Sequence, residues 1–237
     1  MNQPTRPTPL NAEKVAYWYF RLNGFLQIEN FVVHPERGSE QRTDADLLAV
    51  RFPYRAERLF DNPHDIMRDD EARLSLSADQ IEVVIAEVKT NRPCTLNSPW
   101  TREDHQNVHR VLAAIGCLPP GQIKQAAADI YTTGIHKSEL GLRVRRVAVG
   151  ASRSADLAAA FPEVTQLVWP EMLAFIWDRF HTYRRQKANV QQWDFQGKLL
   201  KTMANQSSSA EQFVTDALAR MGVRNGCVRI DFAQAVS

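Results

Sequence analysis

Residues 81–93, IEVVIAEVKTNRP, limit the fold more than any other stretch of the chain. Side chains of a strand alternate between its two faces. Ile81, Val83 and Ile85 then share one face, and Val84, Ala86 and Val88 the other. Both rows are apolar, so this strand is expected at the centre of a sheet covered on both sides. Glu87 and Lys89 continue the first row. Burying charge is costly unless it is paired or bound to a metal. These charges therefore sit at the sheet's edge, pair with each other, or form a site.

The rest of the chain supplies the frame. Its 237 residues can bury a sizeable core. Hydrophobic content of 44%, charge of 24% and a net charge of +2 are ordinary for a globular protein, and permit nucleic-acid binding without arguing for it. Cys94, Cys117 and Cys227 have no metal-type spacing and no disulfide framework. They fit a reducing compartment, and the cytoplasm is the expected location. The polar, Pro-rich opening MNQPTRPTPL lacks the apolar core of a signal peptide. No apolar run is long enough to span a membrane.

Residues 1–10 read as a flexible arm. Asn11 is a good N-cap for a helix that Gly24 stops, with Leu10 stapled to Val15. Strands are expected at 25–33, 44–52 and 81–89. The stretch 53–80 holds seven acidic and four basic residues and reads as a surface insertion with some helix at 69–76. A helix follows over 101–116, where Thr101 and Asp104 have N-cap and N3 spacing. Two more strands are expected within 128–135 and 142–151, joined across HKSELG. From Ser154 the chain reads as helical, with a flexible linker at 205–210 and a last short strand at 227–232. The expected class is α/β: a mixed sheet flanked by helices over 11–150, then a mostly helical C-terminal region over 151–237.

The second strand offers the charges of the third a partner. Asp46 stands at the end of a row with Leu48, Val50 and Phe52. If the two strands are neighbours, Asp46 and Glu87 converge. Two carboxylates and a main-chain carbonyl, that of Val88, make a hard-oxygen site suited to magnesium. A lysine beside it can orient or deprotonate water. Such a metal lowers the pKa of water and stabilises charge on a phosphate oxygen. That is the chemistry of phosphodiester hydrolysis.

Asp46 followed by Glu87-Val88-Lys89 resembles the PD-(D/E)XK, restriction-endonuclease-like nuclease superfamily. Glu13 stands eleven residues before Gly24-Phe25, as in many members. ENF, TDADLLAV and IAEVKT resemble segments of its small resolvase-like bacterial members, and Gln106 matches a glutamine on the following helix. The resemblance covers about residues 11–133. The gap of 41 residues from Asp46 to Glu87 departs from the tight hairpin of compact members, so 53–80 must loop out.

The resemblance implies a restriction-endonuclease-like fold and a magnesium-dependent endonuclease, with manganese as a substitute. Asp46, Glu87 and the Val88 carbonyl would hold the metal. Lys89 would activate water, Glu13 would serve a second metal or orient the water, and Gln106 would align substrate or Lys89. DNA is the expected substrate ahead of RNA, and a homodimer or an operon-encoded partner fits the family. Arg110, Arg143 and Arg145 are candidate phosphate contacts. Each charged group also has a plainer reading as a helix-dipole, turn or surface residue. His105 and His109 are four apart on one helix but lack a third ligand. The aromatic runs WYF and FIWDRF read as core. The other class of function is a nuclease-fold module that binds nucleic acid or a protein and does not cut.

Overall fold

The computed structural model describes residues 8–34, 43–59 and 62–224. Asn11 caps α1 (Ala12–Leu22), its side chain accepting from the Lys14 amide at 2.9 Å. Gly24, at φ +79°, then turns the chain where a Cβ would stand 2.3 Å from Arg55 Nε. No other residue type fits that turn without displacing Arg55. β1 (Leu26–Val33) and β2 (Thr43–Arg51) follow, then a small hairpin of β3 (Glu57–Leu59) and β4 (Asn62–Met67), α2 (Glu71–Leu74) and β5 (Ile81–Val88). Next come α3 (Ser98–Thr101), α4 (Asn107–Ile115), α5 (Ile123–Thr133), β6 (Ile135–Ser138) and β7 (Leu142–Gly150). α6 (Ala155–Ala160), β8 (Thr165–Val168), α7 (Trp169–Thr182), α8 (Phe195–Gln206) and α9 (Ala210–Arg220) complete the described order.

The main sheet runs β1-β2-β5-β7-β6, with β8 also on β7. β2 runs antiparallel between β1 and β5, whereas β5 and β7 are parallel, joined through α4 and α5. β5 is thus central. Val84, Ala86 and Val88 pack in one core with α1, α7, α8 and α9, and Val83 and Ile85 in a second core with α4 and α5. The molecule is an α/β protein with a mixed open sheet flanked by helices. The C-terminal helices share a core with α1, so residue 150 does not divide one core from another. Trp18, Tyr19 and Phe20 are core, as expected. Among the described residues no helix is long and apolar enough to cross a membrane.

Several expectations need correction. Residues 128–133 belong to α5, not to a strand, because Ala126, Ala127, Ile130 and Tyr131 recur at helical spacing on a buried face. The 101–116 helix is broken, with α3 ending at Thr101 and α4 starting at Asn107, because Gln106 adopts φ 54°. The C-terminal region is mostly helical, and β8 is a strand within it that the periodicity does not show. Of the linker expected at 205–210, 205–206 end α8 and 210 starts α9; only 207–209 connect them, with Ser207 buried and Ser209 capping α9. Residues 8–10 are pinned: Leu10 N donates to the Arg220 carbonyl at 3.1 Å. The strand expected at 227–232 lies outside the described residues.

The 53–80 stretch does loop out between two adjacent strands, yet it is not all surface. Met67, Asp70 and Leu74 are buried. Asp69 bonds Arg51 at 2.8 Å, pairs with Arg55, and meets Arg179 of α7 at 3.4 Å. Asp69 thus pairs with arginines of β2 and α7 as well as of the stretch itself.

Candidate active site

The pairing of β2 with β5 runs from Arg51↔Glu82 to Leu47↔Ala86. Beyond that last pair, Asp46 takes over with its side chain. Its Oδ2 accepts from the Val88 amide at 2.6 Å. The strands prepare this step. Leu47 faces the α1 core, whereas Ala45 and Phe31 face the α4–α5 core, so the alternation slips across Asp46 and its neighbour Asn30, which sits at φ 50°. Asp46 therefore does not extend the Leu48 row as expected. It reaches across the gap between strands, in the plane of the sheet.

The Lys89 amide donates the other way, to the Val149 carbonyl of β7 at 2.9 Å. Successive peptide groups of a strand point to opposite edges. The Val88 N–H and C=O thus both face the Asp46 side, past the end of the ladder. Trp169 Nε1, at the start of α7, donates to the carbonyls of Lys89 at 3.2 Å and Thr90 at 3.1 Å. The C-terminal helices hold the end of the site strand in place.

Glu87 is 3% exposed, and Lys89 Nζ donates to its Oε1. Burial pushes the Glu87 carboxyl up to about 7; the lysine opposes that shift and the Asp46 charge adds to it. Asp46 is itself raised, by burial against the opposing pull of the Val88 amide and Lys89. Glu13, in the first turn of α1, is raised by burial and then by the charges of Asp46, Asp44 and Glu29. The structure therefore brings Glu13, Asp46, Glu87 and Lys89 into one electrostatic cluster. Sequence reasoning missed Glu29, which is paired with Lys14 and acts on Glu13 across the α1–β1 packing. The contact joins two elements, and no local signal marks it.

Other candidates lie elsewhere. Gln106 is exposed at the junction before α4 rather than within a helix, and among the described residues no side-chain hydrogen bond ties it to the cluster. Arg110 lines an apolar groove of about 370 Å³ beside Phe31 and His34. Arg143 and Arg145 do not form an open phosphate-tracking face. Arg145 is 1% exposed, and both bond the buried Glu82, at 2.9 Å for Arg143 and 3.0 Å for Arg145. The Arg145 guanidinium, buried and spent on fixed partners, is not free to follow a nucleic-acid backbone.

Among the described residues, no group of three or more His, Cys, Asp or Glu side chains is placed to hold a metal. The oxygens at the two strand ends are the Asp46 and Glu87 carboxylates and the Val88 carbonyl. These are hard oxygens, and magnesium retains several waters of its own. Raised carboxylates crowded against one another are the electrostatic condition a cation relieves. No family model, curated protein or solved structure matches the chain.

Proposed function

We propose that this chain is a metal-dependent nuclease of the PD-(D/E)XK kind, with a restriction-endonuclease-like fold and DNA as its substrate. The observation that carries the reading is the meeting of Asp46 with Glu87-Val88-Lys89 at the ends of two adjacent antiparallel strands. The reading required those strands to be neighbours despite the intervening insertion, and they are.

Asp46, Glu87 and the Val88 carbonyl would hold magnesium or manganese, which supplies Lewis acidity to the scissile phosphate and lowers the pKa of water. Lys89 orients the attacking water or accepts its proton. Glu13, on the α1 side of Asp46, holds that water through a hydrogen bond. Burial of Glu87 and the fixed strand ends keep these groups in place before substrate arrives.

A second reading has its own support. Glu87 is already engaged by Lys89, and the described side chains form no three-ligand set. An inactive module that binds nucleic acid or a protein fits both observations. Cleavage of linear, supercoiled and branched DNA, with RNA alongside, is measured with magnesium and with manganese. Metal-dependent cleavage by the wild type, lost in Lys89→Ala and Asp46→Ala, supports the nuclease. Calorimetry that detects no metal at Asp46, with no cleavage of any substrate, supports the inactive module.

A further inference from the structure

The sheet edge beyond β7 is interrupted. β6 pairs with β7 from Leu142 to Arg145, and β8 pairs with it from Val147 to Gly150. At that break opens a cavity of about 470 Å³. Arg73, Arg143, Arg145 and Arg153 line it, with Thr165 and Gln166 of β8. Among its described lining residues the one carboxylate is Glu163, which is exposed at the rim and screened by water.

The acids that hold these arginines stand behind the wall. Glu82 is fully buried under Arg143 and Arg145. Glu171 grips Arg153 through both oxygens at 2.9 Å, and Asp70 bonds Arg73 at 3.2 Å. Four guanidiniums thus converge on this cavity, with Glu82, Asp70 and Glu171 among the carboxylates that hold them.

The donors divide into two kinds. Arg145 spends Nε on Glu82, Nη1 on Thr165 and Nη2 on the Leu74 carbonyl, so it is a fixed floor. Arg143 uses Nε and Nη2 on Glu82 and the Ser75 carbonyl, and Arg153 uses both Nη atoms on Glu171. Among the described residues, Arg143 Nη1 and Arg153 Nε have no hydrogen-bond partner. Guanidinium donors on a rigid support match phosphate oxygens, and their ordering entropy is already spent. The volume falls within the range of small-molecule sites.

We propose that this cavity binds a small phosphate-bearing ligand, no larger than a mononucleotide. The proposal does not depend on the nuclease reading. It is tested by calorimetric titration of the full chain, at low ionic strength, with inorganic phosphate and with a nucleoside monophosphate. One saturable site per chain is expected. Arg153→Ala, at a half-exposed position, weakens binding about tenfold. Glu163→Gln, on the rim, tightens it about threefold. Equal affinity for both probes assigns free phosphate as the ligand, and tighter binding of the nucleotide assigns a nucleotide. Either probe failing to saturate is tolerable alone; failure of both up to ~10 mM overturns the proposal. So does binding that neither substitution changes.

Discussion

Strand β5 carries two buried glutamates, one near each end, and they live differently. Glu82 is fully buried and saturated: Arg143 and Arg145 donate to it at 2.9 and 3.0 Å, and the Ser77 amide at 3.2 Å. Glu87 is as deeply buried but has one cationic partner, Lys89, and the negative charges of Asp46 and Asp44 nearby. Burial alone does not mark a functional carboxylate. What separates the two is whether the protein itself supplies the compensating charge. The saturated acid belongs to the frame, and the undersaturated one among like charges is where we propose that a cation sits.

Four measurements bear on this contrast. The largest effect is expected at the Glu87 end: Asp46→Ala and Lys89→Ala each lower metal-dependent cleavage by ~10³-fold with the melting temperature little changed. Equal cleavage by wild type and both variants would move the chemistry away from this strand end. At the other end, Glu82→Gln leaves two guanidiniums without their buried anion and costs about 3 kcal/mol in urea denaturation. A loss below about 1 kcal/mol would make Glu82 no better than a surface ion pair and erase the contrast.

The third effect is the pH dependence of the metal-free protein. Glu87 has a folded pKa of about 7, above the ordinary 4.5. Between those values the folded state binds more protons than the unfolded one. Stability from this group is therefore full below 4.5 and is lost as pH rises through 7, by about 2.5 kcal/mol between pH 5 and 8. Melts at pH 5 and 8 should show this loss in the wild type and not in Glu87→Gln. Magnesium should restore the wild type at pH 8. The smallest effect belongs to Arg143→Gln, which leaves Glu82 with Arg145 and costs about 1–2 kcal/mol.

The legible parts of this molecule were those written in local periodicity. The two-faced apolar row of β5, the Asn11 cap and the Gly24 stop can all be read from a few consecutive residues. Glu87 and Lys89 were visible because they break that row. The illegible parts depend on distant partners. Arg143 and Arg145 look like a basic stripe until Glu82, 61 and 63 residues away, is placed beneath them. The insertion looked solvated because its charges were counted, not paired. Residues 128–133 carry Ile, Tyr and two threonines, which favour strands, but the buried stripe of α5 overrode that preference. β8 has four residues, too few to show a period. Asp46 points across the strand gap rather than along the Leu48 row, and the slip across Asn30 that turns it has no signature in the alternation.

That same slip gives Asp46 an unusual correspondent. The Val88 amide proton rests on the Asp46 carboxylate, where a strand would ordinarily offer a carbonyl. Its nuclear magnetic resonance is therefore a reporter built into the backbone. Loss of a proton from Asp46, or arrival of a cation, changes the charge that this proton sees. Its chemical shift and solvent-exchange rate record the state of the site with every side chain left as it is.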